Sequence, residues 1–304
     1  MLKLALGAIP YYWPREAVFK FYRAIAGTPV DIVYLGETVC SRRHELRLAD
    51  WLDIANSLSE AGMQPVLSTM VLIESGQDLA TLRRIAENGR FAVEANDLGA
   101  VHLLEGAPFI AGPHLNIYNR PTLDLFAGLG AIRWVMPLEM GRAGLADMLQ
   151  DRPAGLETEV FAYGRMPLAF SARCFTARHR NLPKDNCEFS CLDHPDGLLL
   201  QTRENSDFLV LNGIQTQSAK VCNLVNELAA MQAMGVNAVR ISPQAHHNER
   251  IIEVFDQVRH GRMAPTAAMT ALEEWMPDQP CNGYWNGEPG MQQLEQALQF
   301  GEDR

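Results

Sequence analysis

Short, nearly continuous apolar runs alternate with longer amphipathic runs along most of the chain. Uninterrupted apolar runs are typical of parallel strands covered on both faces, whereas apolar residues at three- and four-residue spacing indicate helices. The pattern predicts strands at Lys3–Ile9, Asp31–Leu35, Pro65–Met70, Phe91–Ala95, Phe109–Ala111, Ile132–Pro137, Glu159–Phe161 with a continuation to Phe170, and Ala238–Ile241.

Amphipathic runs between these strands predict helices at Arg15–Ala26, His44–Ala61, Asp78–Asn88, Ala219–Met234 and Asn248–His260. A glycine commonly ends a helix, and four of the runs are followed by one: Gly27, Gly62, Gly89 and Gly235. Eight strand-and-helix units over about 260 residues fit an α/β fold, a (β/α)8 TIM-like barrel, regular or irregular. The alternative is an open doubly wound sheet, but Gly128-Leu-Gly130 lacks the third glycine of its usual fingerprint.

A polar segment at 183–213 interrupts the alternation between the seventh strand and the eighth unit. Its second half predicts a β-hairpin, with strands at Leu198–Arg203 and Phe208–Leu211. An insertion at this point of a barrel lies at the carboxyl-terminal mouth, where barrel enzymes have their active sites.

No linker or repeat argues for a second domain, so residues 1–304 are predicted to form one domain that ends in an ordered tail at 277–304. Residues 277–291 are rich in turn residues and aromatic side chains and do not have a helical pattern. Two alternatives remain for Trp285 in this tail. It is either an exposed anchor for a partner or a plug at the bottom of the barrel.

The composition narrows the class of protein. The 304 residues include 26 Lys and Arg against 36 Asp and Glu, a net charge of −10, which disfavours binding to nucleic acid. No apolar run approaches the ~18 residues of a transmembrane helix, and the first residues resemble a strand more than a signal peptide. We therefore expect a cytoplasmic protein, in which its six cysteines are buried thiols, reactive thiols or metal ligands rather than disulfides.

Three of the cysteines follow one another within a polar stretch. Cys174, Cys187 and Cys191 have the spacing C-x12-C-x3-C, and Cys40 lies just beyond the second predicted strand. All four are predicted to meet at the barrel mouth, where four thiols suit either a zinc ion or an iron–sulfur cluster. The two remaining cysteines are weaker candidates, since Cys222 lies in a predicted apolar helix and Cys281 precedes a turn.

Other candidate groups surround the cysteines. Arg173 and Arg178 flank Cys174 and could contact a carboxylate-bearing substrate or offset the charge of a thiolate cluster. His246 follows the last strand and is a further candidate substrate contact. Glu37 and Glu94 are candidate acid–base groups, although structural ion pairs would also explain them. The sequence contains no zinc-hydrolase, serine-hydrolase or P-loop motif, so the catalytic residues remain unassigned.

The segment EVFAYGRMPLAFSARC at 159–174 resembles the signature of the collagenase-like peptidase family, whose members share a barrel-like fold. That signature usually has a histidine where Tyr163 stands and a further cysteine where Pro167 stands. These departures separate the chain from the generic activity of the family.

Three motifs together resemble the subgroup of this family that takes part in oxygen-independent ubiquinone biosynthesis: ETVCSRR at 37–43, the C-x12-C-x3-C spacing, and CNGYW at 281–285. The resemblance covers essentially the whole chain. It implies a heterodimer with a UbiU-like protein that hydroxylates prenylated phenol or quinone precursors, with prephenate as the oxygen donor. It also implies that a [4Fe–4S] cluster is held by Cys40, Cys174, Cys187 and Cys191.

Three alternatives from other classes are weighed against this function. Peptidase activity would need a nucleophile–base pair, and none is recognisable in this sequence. An RNA hydroxylation factor fits poorly with the net charge of −10. A non-catalytic scaffold or electron-relay subunit is the strongest of the three, because no acid–base pair is evident in the sequence.

Overall fold

The structure is a computed structural model and describes residues 1–294. Its strands are β1 (Lys3–Leu6), β2 (Ile32–Leu35), β3 (Gln64–Ser68), β4 (Ala92–Ala95), β5 (Phe109–Ala111), β6 (Ala131–Val135), β7 (Glu157–Phe170), β8 (Leu198–Gln201), β9 (Asp207–Asn212), β10 (Gln215–Asn223), β11 (Ala238–Ile241) and β12 (Pro280–Cys281). Strands β1 to β7 pair in sequence order and in parallel, and β11 closes the barrel by pairing with both β1 and β7. The predicted eight-stranded α/β barrel is confirmed.

The helices surround this barrel, and four of the five predicted helices lie close to their predicted positions. The helices are α1 (Arg15–Ile25), α2 (Leu48–Glu60), α3 (Gly76–Ala86), α4 (Leu98–Leu103), α5 (Arg120–Gly128), α6 (Arg142–Gln150), α7 (Phe175–His179), α8 (Leu228–Met234), α9 (Asn248–Arg259) and α10 (Pro265–Glu273). Local chemistry fixes their ends. The Ser75 hydroxyl accepts a hydrogen bond from the Asp78 N–H at the start of α3, and Gly235 ends α8 with a φ of 91°. Within residues 1–294, no helix combines the length and apolar character needed to cross a bilayer.

Strand β7 belongs to two sheets. Its first part pairs in parallel with β6 and β11 in the barrel, and its second part pairs antiparallel with β10 outside it. The strand changes sheets near Gly164, whose φ of 127° suits glycine, and where an added Cβ would lie 2.5 Å from the Ser242 Cβ. Strands β8, β9 and β10 continue the outer antiparallel sheet, so the predicted hairpin is present as β8 and β9.

One predicted helix is wrong in its first part. Residues from Ala219 to Asn223 belong to β10, and helix α8 begins only at Leu228. The segment pairs with β7 on one edge and with β12 on the other. These ladder hydrogen bonds and the burial of Val221 outweigh the weak helical preference of the sequence. Cys222 is buried as expected, but it lies on a strand.

The tail returns to the carboxyl-terminal side of the barrel. Strand β12 pairs with β10, and the turn that follows places Trp285 beside Met136 and Met140, just after the end of β6. Trp285 is only 3% exposed, so it is not an exposed anchor, and it lies at the carboxyl-terminal end rather than at the bottom of the barrel. The tail packs closely against the loop between β6 and α6, since a Cβ added at Gly141 would lie 2.9 Å from the Tyr284 carbonyl oxygen. Residues 295–304 of the predicted tail lie outside the described residues.

Truncating Trp285 tests whether the tail is part of the core. We expect Trp285→Ala to lower the free energy of unfolding by about 3–5 kcal/mol, because a large buried side chain is lost. Chemical denaturation of the full chain measures this change. Phe208→Ala is the control, since Phe208 is 46% exposed on β9 and should cost little. Equal effects of the two substitutions would contradict the buried position of Trp285.

Candidate functional site

A cavity of about 90 Å³ opens at the carboxyl-terminal mouth of the barrel. This position is where barrel enzymes assemble their active sites from the loops that follow the strands. Its wall combines an apolar side with polar and charged side chains. The lining residues are Gly7, Ala8, Pro10, Thr38, Glu94, Asn96, Pro113, His114, Val135, Met136, Leu138, Phe161, Arg165, Pro167, Gln215, Gln217, Arg240 and Ser242.

Buried ion pairs form the floor of this cavity. Arg240 on β11 donates through Nε to Glu159 at 2.5 Å, and its Nη1 lies 2.8 Å from the Glu94 Oε1 in an ion pair. Tyr34 donates its hydroxyl to Glu159 at 2.6 Å, and its ring lies 3.8 Å from the Arg240 guanidinium carbon. Burial raises the pKa of Glu94, but Arg240 and Ser68 outweigh it and hold that pKa below its usual value. Glu94 is therefore an ionised member of an ion pair, not a free base.

Part of the cavity wall is polar but unpaired. The Nε of Arg165, the Nη2 of Arg240 and the Oε1 of Gln217 are buried and have no hydrogen-bond partner among residues 1–294. Arg165 also makes no ion pair within 4 Å in this part of the chain, although Asp196 and Tyr11 are near enough for electrostatic interaction. Buried polar groups are normally satisfied, so these atoms are unusual.

The four predicted cysteine ligands lie beside this mouth. Cys40 packs with Ile214, Phe170 and Cys174 in one small apolar cluster next to the barrel. Cys174 precedes α7, where its sulfur accepts a hydrogen bond from the Ala177 N–H at 3.4 Å. The thiol groups interact electrostatically in three pairs: Cys40 with Cys174, Cys191 with Cys174, and Cys191 with Cys187. The structure thus brings all four together on one rim.

A buried arginine stands within this group of thiols. Arg43 is 6% exposed and interacts electrostatically with the thiols of Cys40 and Cys191. It also donates to the Pro10 carbonyl and to the Asn212 side chain, each at 2.7 Å, and pairs with Glu37 at 3.5 Å. Burial raises the pKa of the Cys40 thiol to about 11 and raises that of Cys191, while Arg43 opposes both shifts. Arg43 therefore favours negative charge on these sulfurs.

The four cysteines are free thiols, but they do not converge on a single point. In the part of the chain that the structure describes, no group of three His, Cys, Asp or Glu side chains is arranged to hold a metal ion. One tetrahedral zinc ion, with Zn–S bonds of about 2.3 Å, would draw its sulfurs into such a group. An iron–sulfur cluster instead spreads its thiolate ligands over several iron atoms.

The predicted substrate contacts lie outside the cavity. Arg173 and Arg178 are exposed near Cys174, and His246 is exposed with its ring 6.1 Å from that of His247. None of the three lines the cavity wall. Glu37 accepts hydrogen bonds from the N–H groups of Val39 and Cys40 and thereby orders the loop after β2.

Arg165 and Gln217 were missed in the sequence. Gln217 lies on β10, just before the segment that the sequence predicted as a helix, so no strand was expected there. Arg165 stands in an otherwise apolar strand continuation, YGRMPLAF, and this was a usable signal, because a charged residue in a buried strand needs a reason.

His114 generates a pH prediction. It lines the cavity and its ring packs edge-on against Phe170, with 4.9 Å between ring centroids. Burial lowers the pKa of His114 from 6.5 to about 4. The unfolded chain therefore binds a proton below pH 6.5 that the folded protein takes up only near pH 4. The associated stability is fully present above pH 6.5 and is lost as the pH falls towards 4, by about 3 kcal/mol at most.

Melting temperatures between pH 7.5 and 4 measure this loss. We expect His114→Gln to melt with a weaker pH dependence than the parent protein, because the buried imidazole is gone. His102→Gln is the control, since the His102 side chain is 81% exposed. A pH dependence that is identical in all three proteins would contradict the assignment.

Comparison with known proteins identifies the family. The model of peptidase family U32 matches residues 18–293. Among solved structures, the U32 peptidase Mk0906 is 11% identical, with a TM-score of 0.45 over 80% of this chain and 93% of that one. N-acetylneuraminate lyase from Mycoplasma synoviae is 10% identical, with a TM-score of 0.44 over 90% of this chain and 79% of that one. Because the family model matches nearly the entire length, the chain belongs to peptidase family U32.

Proposed function

We propose that this protein is a [4Fe–4S] subunit, similar to UbiV, that acts with a UbiU-like partner. The pair hydroxylates the aromatic ring of ubiquinone precursors without O2 and uses prephenate as the oxygen donor. Cys40, Cys174, Cys187 and Cys191 hold the cluster. The observation that carries the proposal is the meeting of these four thiols on one rim, directly beside the cavity at the barrel mouth.

The surroundings of the thiols support this proposal. When bound, a [4Fe–4S] cluster supplies one-electron transfer, with a potential set by burial and by hydrogen bonds to its sulfurs. Arg43 is the buried cation that offsets the negative charge of the thiolates of Cys40 and Cys191. The apolar packing of Cys40 against Ile214 and Phe170 excludes water from one side of the site.

A chain of hydrogen bonds connects the thiols to the cavity. Arg43 contacts Cys191 and donates to the Asn212 Oδ1 at 2.7 Å. Asn212 in turn donates through Nδ2 to the Gln215 Oε1 at 2.9 Å, and Gln215 lines the cavity. These side chains hold the rim at a fixed position relative to the mouth. In the proposed function they position the cluster beside the substrate without taking part in the chemistry.

A second candidate is a non-catalytic scaffold or electron-relay subunit of the same complex. It is favoured by the cavity wall, where Glu94 is held in an ion pair with Arg240 and is not a free base. Peptidase activity has less support. Among the described residues, no hydrogen bond joins a Ser, Thr or Cys side chain to a histidine ring, as a nucleophile and its base would require. Turnover by the isolated chain, compared with the complex, separates the enzyme from the scaffold.

Single cysteine substitutions test the ligand set. We expect Cys40→Ala, Cys174→Ala, Cys187→Ala and Cys191→Ala each to lose iron and activity, because three thiolates hold a cubane poorly. Cys222→Ala and Cys281→Ala are the matched controls, since both thiols are buried in the outer sheet and face each other across β10 and β12. The measurement is the iron and sulfide content of anaerobically purified complex, with ubiquinone content of anaerobic cells as the functional readout.

Two outcomes would contradict the proposal. A colourless protein that contains one zinc ion would show that the cysteines hold a structural metal and not a cluster. Bleaching of Cys222→Ala to the same degree as Cys187→Ala would show that the ligands are assigned wrongly.

A further inference from the structure

Five buried polar atoms of the cavity wall lack a hydrogen-bond partner among residues 1–294, and three of them, on Arg165, Gln217 and Arg240, come from different strands of the fold. Arg165 lies on β7, Gln217 on β10 and Arg240 on β11, and the three residues are 8%, 1% and 8% exposed. The unpartnered atoms of these three residues are two guanidinium nitrogens and one amide oxygen. The other two are the Asn96 Oδ1 and the Glu94 Oε1, and the latter is ion-paired with Arg240. The wall therefore has hydrogen-bonding capacity that the described residues do not use.

Arg165 is the most unusual of the three. Arg240 is neutralised by Glu94 and Glu159, whereas Arg165 has no carboxylate within 4 Å among residues 1–294. Asp196 interacts with it electrostatically, but Asp196 already accepts a hydrogen bond from the Ala245 N–H at 2.7 Å. A buried guanidinium without an anion is destabilising unless something else compensates it. An anion bound in the cavity would do so.

The other residues of the cavity wall, and its volume, indicate which further groups a ligand would carry. Gln217 presents an oxygen that can only accept a hydrogen bond, which calls for a donor such as a hydroxyl group. Met136, Leu138 and Phe161 form an apolar side. The volume of about 90 Å³ far exceeds the ~10–15 Å³ that one water needs, so a small organic molecule fits.

We propose that this cavity binds a small hydroxycarboxylate, with its carboxylate on Arg165, its hydroxyl on Gln217 and its carbon skeleton against Met136, Leu138 and Phe161. The inference deepens the proposed function by naming the residues of the same mouth that bind an acidic substrate, and its link to hydroxylation rests on that function. Binding itself requires only the cavity, not the cluster. The exposed Arg173 and Arg178 are then not the primary anion site.

Direct binding to the full chain tests the proposal. The probes are glycolate, malate and mandelate, measured by calorimetry, with methyl mandelate as the uncharged match of mandelate. We expect at least one acid to bind with a dissociation constant of about 1 mM or below, and methyl mandelate to bind at least about tenfold more weakly than mandelate. Arg165→Gln should weaken the binding of the acid at least about tenfold, whereas Arg203→Gln, an exposed arginine of the hairpin turn, should leave it unchanged.

The melting temperature gives a second readout. Arg165→Gln removes an unpaired buried charge, so we expect it to melt at the same temperature as the parent protein or higher while it loses the ligand. Arg165→Lys keeps the charge without the planar guanidinium and should bind with intermediate affinity. Gln217→Leu keeps the volume but removes the acceptor, and should bind the hydroxy acids more weakly.

Several results would overturn the inference. These are the absence of binding by all three acids at about 10 mM, equal affinity for mandelate and its methyl ester, or unchanged binding in Arg165→Gln. Loss of binding in Arg173→Gln or Arg178→Gln but not in Arg165→Gln would place the anion on the exposed rim instead.

The same measurements on Cys187→Ala separate this inference from the proposed function. Iron loss with intact acid binding in that variant supports both. Intact iron in Cys187→Ala contradicts the cluster assignment alone, and intact iron with no acid binding in the parent protein contradicts the ligand alone.

Discussion

The buried ion pairs of Arg240 are the interaction on which the barrel and its mouth both depend. Arg240 lies on the closing strand β11 and pairs with Glu159 of β7 and Glu94 of β4, while Tyr34 of β2 completes the contact. Charges taken out of water are tolerated only when their partners are close and correctly oriented. The strands must therefore close in one register for these groups to meet. The same side chains form the floor of the cavity, so barrel closure also sets the shape of the site.

Strand β7 extends this constraint to the cysteines. Its inner part holds Glu159 in the barrel, and its outer part, beyond Gly164, carries Arg165 into the cavity wall and leads to Cys174. Strand β10 pairs with this outer part and brings Ile214 and Gln215 beside the same rim. A single long strand thus fixes the distance between the unpaired arginine and the thiols. The insertion is an integral part of the mouth, not an appendage.

The sequence predicts the barrel well because its strands are short apolar runs, a local signal that a buried parallel sheet imposes on each strand separately. It predicts the cysteine rim for a related reason, since the residues that follow parallel strands gather at one end. The partners of β10 lie far away in sequence, at β7 and β12, and a local pattern carries no information about them. The pattern at Ala219–Asn223 therefore predicts a helix where the structure has a strand. The roles of Arg165 and Gln217 depend on which groups fail to reach them, and only the folded arrangement shows this.

The contrast between Arg165 and the exposed Arg173 follows from the dielectric environment. An exposed guanidinium is hydrated and screened by salt within about 8–10 Å, so a carboxylate gains little by approaching it. A guanidinium that folding has already stripped of water lacks that compensation, and its interaction with an anion is correspondingly stronger. Folding, and not ligand binding, has then already supplied the free energy needed to remove water from the guanidinium. The buried Arg165, and not the more numerous exposed arginines, is therefore the cation that gains most from an anion at the mouth of this barrel.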